Sequence, residues 1–206
     1  LQGENNMKIK QLTLGLYATN CYIVYDEATR DSVVIDPGYT PEVILQELEQ
    51  LQLQPQAILL THGHFDHVGG VAPLYAELDC RVYLCQKDTQ LPPYITAGQL
   101  CYTDFYAEGD DLTFGALRFH VIETPGHTPG SVCLLCEDVI FSGDTLFKGS
   151  CGRTDGPGGS WKDMCRSLQR LAEIQRDYQV LPGHGEATTL RREQLYNAFM
   201  QEARGQ

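Results

Sequence analysis

With 206 residues, the chain is long enough to bury a sizeable core, and its length suits one domain. A formal net charge of −12, with no local basic patch, excludes the electrostatic surface that a nucleic-acid partner needs. No apolar run approaches the ~20 residues of a membrane span, and no secretory leader is visible, so a cytoplasmic protein without a membrane partner is expected.

Residues 1–6 read as an expression remnant ahead of Met7, and 7–206 as the domain. Three short strands open it, at Met7–Leu12, Cys21–Tyr25 and Ser32–Ile35, where β-branched and aromatic residues alternate with turn signals. A helix follows, with Thr40 as N-cap, Pro41 in its first turn, and Ile44, Leu48 and Leu51 on one face. The apolar run Ala57–Leu60 reads as a buried strand, a helix lies near Gly70–Glu77, and another strand lies at Arg81–Leu84. Residues 88–110 read as a long irregular loop, with Tyr94 and Tyr102 as candidate substrate contacts; the competing reading is a loop packed on the body. The second half repeats the plan, with strands at Leu117–Ile122, Ser131–Leu135 and Val139–Phe141. A helix capped by Ser160, a strand at Tyr178–Leu181 and a helix from Thr188 to Ala203 finish it. Two such halves suggest two packed sheets with helices outside.

Eight cysteines at irregular spacing, without a secretory leader, read as reduced thiols. Cys133 and Cys136 form a C-x-x-C, but within a strand residues three apart face opposite ways, which argues against a redox pair.

The chemistry concentrates between strand and helix, in Thr61-His62-Gly63-His64-Phe65-Asp66-His67. Half of the chain's six histidines fall in these positions, which argues against chance. Neutral imidazole and ionised carboxylate are ligands for divalent first-row metals. Histidines two apart converge on one ion, while Asp66 and His67 turn toward a second. Three later junctions repeat one pattern, in which a strand runs into a Gly or Pro turn and then one ligand-type residue: His127, Asp144 and His184. Glycine beside a ligand permits the close backbone approach that such a site needs. His120, flanked by Phe119 and Val121 in a strand, reads as structural.

T-H-x-H-x-D-H at 61–67, T-P-G-H-T-P-G-S at 124–131, S-G-D-T-L-F at 142–147 and P-G-H-G at 182–185 resemble the metallo-β-lactamase fold family. More narrowly, the chain is similar to the short glyoxalase II-like hydrolases, with Lys148–Asp155, Thr188, Thr189, Glu193 and Asn197 fitting that branch. The resemblance covers about Met7 to Met200 and implies an α/β chain folded as a four-layer αββα sandwich. It implies that His62, His64 and His127 hold one divalent metal ion, that Asp66, His67 and His184 hold a second, and that Asp144 bridges both. Zinc is the expected metal, with iron or manganese as alternatives. Asp66 and Asp144 carry the catalytic roles in this reading.

The same resemblance implies a thioesterase acting on S-lactoylglutathione or a related small thioester, by attack of a hydroxide shared between the ions. Arg153 stands where glyoxalase II has a basic substrate contact, while Asp155 replaces a tyrosine and Ala198 a proline. The helical domain that supplies glutathione contacts in full-length glyoxalase II has no counterpart in this sequence, which implies weak glutathione binding. A mononuclear iron persulfide dioxygenase is the alternative, since that family also resembles Gly152–Asp155; retention of His184 weighs against it.

Overall fold

The computed structural model describes residues 6–96 and 98–205, so residues 1–5 of the expected remnant, and Ala97 of the 88–110 loop, lie outside the described residues. Strands β1 (Met7–Leu14), β2 (Thr19–Asp26), β3 (Asp31–Ile35), β4 (Gln54–Leu59), β5 (Arg81–Cys85) and β6 (Asp104–Tyr106) form one sheet in that order. The second sheet comprises β7 (Asp111–Phe114), β8 (Leu117–Glu123), β9 (Val132–Cys136), β10 (Val139–Gly143), β13 (Gln179–Pro182) and β14 (Thr188–Thr189). Its order is β14-β13-β10-β9-β8-β7, and a small hairpin of β11 (Leu146–Phe147) and β12 (Ser150–Cys151) stands beside it. Both sheets are mixed: β3, β4, β5 and β6 run parallel in the first, and β10 and β13 do so in the second.

Burial sorts into the expected layers. Between the sheets, Val24, Ile35 and Leu59 from the first meet Phe119, Leu134 and Phe141 from the second. The outer face of the first sheet packs on α1 (Pro41–Gln50) and α3 (Val71–Leu78) through Ile44, Leu48, Val71 and Leu74. The outer face of the second packs on α4 (Trp161–Glu173), α5 (Leu190–Tyr196) and α6 (Ala198–Arg204) through Met164, Leu168, Leu171, Leu190 and Met200. The fold is therefore an αββα sandwich. Cys133 falls in the outer layer and Cys136 between the sheets, on opposite faces of β9 as the strand period requires. All eight cysteines are unpaired.

Several local expectations differ from the structure. Thr40 precedes α1, but its backbone is left-handed (φ 47°) and its side chain makes no capping bond. The 88–110 segment is not wholly irregular: it begins in a 3-10 turn, Gln86–Gln90, and ends in β6, which pairs with β5 at Tyr83↔Asp104. Asp66 and His67 lie on a one-turn helix, α2 (Phe65–Val68), rather than on a loop. The expected helix over 188–203 is β14, α5 and α6, because Asn197 ends α5 and its side chain caps α6 through the Phe199 and Met200 N–H groups.

Candidate metal centre

The seven ligand-type residues meet at one edge of the sandwich, where strand ends deliver them. His62 and His64 follow β4, Asp66 and His67 occupy α2, His127 lies between β8 and β9, Asp144 follows β10, and His184 follows β13. Hydrogen bonds from the Asn20 N–H to the Gly183 carbonyl (2.7 Å) and from the Tyr22 hydroxyl to the Pro182 carbonyl (2.7 Å) join the sheets here. The approach leaves no room at Gly183, where a Cβ would lie 2.4 Å from Asp144 Oδ1.

Four of the five rings are oriented by what their outer nitrogen touches. His127 Nδ1 donates to the Arg153 carbonyl (2.8 Å) and His184 Nδ1 to the Tyr17 carbonyl (3.1 Å), since a carbonyl only accepts. His67 Nδ1 donates to Asp36 Oδ2 (2.9 Å). Thr61 Oγ1 gives its proton to the same Asp36 oxygen (2.6 Å), which leaves it to accept from His62 Nδ1 (3.2 Å). Four histidines are thereby set with Nε2 pointing inward, where His184 Nε2 lies 3.1 Å from Asp66 Oδ2, and His64 presents Nδ1. Asp36, buried after β3 and also accepting the Thr61 N–H (2.7 Å), is a positioning residue that the motif reading missed. The D-P-G break at 36–38 was its only sequence signal.

Two triads result, His62–His64–His127 and Asp66–His67–His184, each with ligand atoms within 4.8 Å of one another. Asp144 lies between them. Its Oδ2 is 3.4 Å from His127 Nε2 and 3.6 Å from His184 Nε2, and its Oδ1 is 3.4 Å from His67 Nε2.

The residues fit a pair of cations. His62 Nε2 and Asp144 Oδ1 are buried without a hydrogen-bond partner. His64 Nδ1 faces His127 Nε2 at 2.9 Å, and His67 Nε2 faces His184 Nε2 at 3.3 Å. Such lone pairs are satisfied together by a shared cation.

The electrostatics divide the rings by their neighbours. Burial, then the neighbouring imidazoles, push His62 well below the ordinary histidine range and His64 down to about 4. For His67, burial also disfavours charge, but Asp144 and Asp36 outweigh it and raise the ring well above its usual value. Burial works against ionised Asp144, and His67 beside it more than compensates, so the carboxyl is held below its usual range.

His64, Asp66, His127, Asp144 and His184 line a cavity of about 370 Å³, walled by Tyr17, Phe65, Ile95 and Pro157, with Arg153 at its rim. Tyr17 and Phe65 meet edge to face at 5.1 Å. Arg153 is bound to Asp155 through Nε–Oδ1 (2.7 Å) and Nη2–Oδ2 (3.2 Å). Tyr94 and Tyr102 do not line this cavity: Tyr94 is 75% exposed, and Tyr102 packs on Phe105 beside a separate groove. The loop reaches the cavity through Ile95 instead, because the Ile95 carbonyl accepts the Phe65 N–H (2.8 Å). His120 is on the surface, paired with Asp111.

A family model of the metallo-beta-lactamase superfamily matches residues 14–184. The chain belongs to that superfamily. BLEG-1, a B3 metallo-beta-lactamase, superposes with a TM-score of 0.85 at 36% identity, covering 94% of this chain and 99% of that one. TTHA1623, solved in a di-iron-bound form, superposes at 0.83 with 40% identity, covering 92% and 99%. Hydroxyacylglutathione hydrolase GloC of Haemophilus influenzae is 32% identical over 94% of this chain and 98% of its own length. Members of the superfamily are generally metal-dependent hydrolases, and the His/Asp cluster described above has the make-up of a divalent-metal site. No helix among the described residues is long and apolar enough to cross a membrane.

Proposed function

We propose that the chain is a dinuclear hydrolase of small thioesters, of the glyoxalase II kind, with S-lactoylglutathione among the substrates it turns over. The observation that carries this is the pair of triads with Asp144 between them. His62, His64 and His127 would hold one ion, Asp66, His67 and His184 the other, and Asp144 both. Zinc is the metal proposed, with iron or manganese as alternatives. When bound, two such ions supply a water activated near neutral pH and a Lewis acid for a carbonyl.

The chain's own residues set the rest. The bonds to Asp36, Thr61, Tyr17 and Arg153 orient four of the five rings before any ion arrives, which limits the reorganisation that accompanies binding. The Tyr17–Phe65–Ile95–Pro157 wall offers an apolar seat for an acyl group on one side of the cavity. Outside the proposed ligands, the described residues of the lining provide no carboxylic acid or imidazole to protonate a leaving group. A thiol, with a pKa near ~8.5, departs as thiolate without that help, whereas an amine must be protonated first. This favours a thioester over an amide. The name of the Haemophilus relative supports the reading, as does the di-iron form of TTHA1623. A cytoplasmic, reducing compartment belongs to the same proposal, since all eight thiols are unpaired.

Metal analysis of anaerobically purified protein, with turnover on a thioester panel, tests the proposal. About two ions per chain and thioester hydrolysis are expected, and Asp144→Ala abolishes turnover and loses metal while the circular dichroism of the fold persists. One iron per chain with oxygen-dependent persulfide turnover would establish the dioxygenase instead. Wild-type turnover and full metal content in Asp144→Ala would sink the site assignment.

A further inference from the structure

Asp88 lies in the 3-10 turn after β5, a segment that provides none of the proposed ligands, yet its side chain is fully buried. Its Oδ2 accepts the Gly63 N–H (2.8 Å) and the Thr128 hydroxyl (2.9 Å), and its Oδ1 accepts the Gly130 N–H (2.6 Å). Gly63 separates His62 from His64, and Thr128 and Gly130 follow His127. One carboxylate thus joins the two segments that carry all three nitrogen donors of the first triad. Among the described residues, it makes no hydrogen bond to Asp66, His67 or His184.

The surroundings are built for a carboxylate. All three partners are donors, which an ionised acid satisfies and a neutral amide of the same shape does not. A Cβ on Gly130 would stand 2.6 Å from Oδ1, so the chain approaches this oxygen more closely than any other residue type permits. Burial pushes the carboxyl up, and the bonds from Gly63, Thr128 and Gly130 oppose that rise.

We infer that Asp88 is a positioning residue that sets the separation of His62 and His64 from His127, and thereby the affinity of that triad for its ion. The inference rests on the two-ion reading above and is independent of the substrate. Groups that orient metal ligands typically govern affinity by roughly ten- to hundredfold. Asp36 acts on the His67 ring directly and on the His62 ring through Thr61, and the carbonyls of Tyr17 and Arg153 each act on one ring, whereas Asp88 acts on the spacing between two chain segments.

Zinc titration of the metal-free full chain tests this, followed by calorimetry. The binding class weakened by His127→Ala defines the first triad, and the class weakened by His184→Ala defines the second. Asp88→Asn should weaken the first class by roughly ten- to hundredfold and leave the second as in the wild type. Thr128→Val removes one donor, keeps the carboxylate, and should weaken the same class by a smaller factor. It decides the matter if Asp88→Asn does not fold. Unchanged first-class affinity in a folded variant, or equal weakening of both classes, would overturn the inference. A wild-type chain with no zinc class sensitive to His127→Ala would refute the two-ion reading itself.

Discussion

The Arg153 guanidinium reaches the cavity with its charge already engaged, since it donates two hydrogen bonds to the Asp155 carboxylate. An anionic substrate must displace a neighbouring carboxylate before it meets this arginine. The backbone carbonyl of Arg153, not its side chain, anchors His127, so replacing the side chain leaves the metal site intact. Arg153→Ala should therefore change KM little for neutral and anionic thioesters alike. Asp155→Asn should lower KM for anionic thioesters alone, by roughly two- to fivefold, because an exposed ion pair is a weak competitor. Steady-state kinetics on matched charged and neutral thioesters check this, and a rise in KM for anions alone in Arg153→Ala would show that the guanidinium binds substrate despite Asp155. At this scale the seven residues that the fold gathers at the sheet edge were legible in the sequence because they stand in short motifs with Gly or Pro nearby. Asp36 and Asp88 were not, since they act on residues 25 to 42 positions away that only the fold brings near.

Among the elements, the C-terminal helices depend on one buried acid. Glu193 in α5 accepts from the Gly149 N–H (2.7 Å), Thr188 Oγ1 (2.6 Å), Asn197 Nδ2 (2.9 Å) and Arg192 (2.7 Å). It thereby ties α5 to the β11–β12 hairpin that follows Asp144. Glu193→Gln leaves some of these donors unpaired and should cost roughly 1–3 kcal/mol at neutral pH. Burial works against the charged form, but these partners outweigh it and hold the Glu193 carboxyl below its usual range. A folded pKa below the unfolded one gives stability that is full above the unfolded value, about 4.3, and is lost as pH falls through the folded value. The stability gap between wild type and Glu193→Gln should then shrink below about pH 4, measured by urea unfolding at pH 7 and in acid. A gap that widens in acid would refute the account. Elements with a clear period, such as α1 and β8, or with a run of β-branched and aromatic residues, such as β3 and β5, were legible from the sequence. Short pieces were not: β6 has three residues at a sheet edge, α2 is a single turn made of ligands, and β14 has two. The α5–α6 break escaped because Asn197 carries no Gly or Pro signal, and its effect lies in the side-chain cap.

Across the whole molecule, each triad is divided between the two sheets. His62, His64, Asp66 and His67 follow β4 of the first, while His127 and His184 extend from β8 and β13 of the second. An ion in either triad therefore joins the halves at their open edge, and so do the hydrogen bonds of Asn20 and Tyr22 to 182–183 and the shared core. Because these links and the core need no metal, the metal-free chain should keep its fold but melt earlier. An ion that binds only the native state adds about 4 kcal/mol when present at a thousand times its dissociation constant. For a chain of this size, each kcal/mol moves the midpoint by roughly 2–4 °C, which gives roughly 8–16 °C per ion. Calorimetry before chelation, after it, and after zinc is restored should show that fall and its recovery. His184→Ala should lose part of the zinc-dependent rise and Asp144→Ala most of it. A melting temperature indifferent to chelation in metal-loaded protein would mean that the ions do not hold the sheets together.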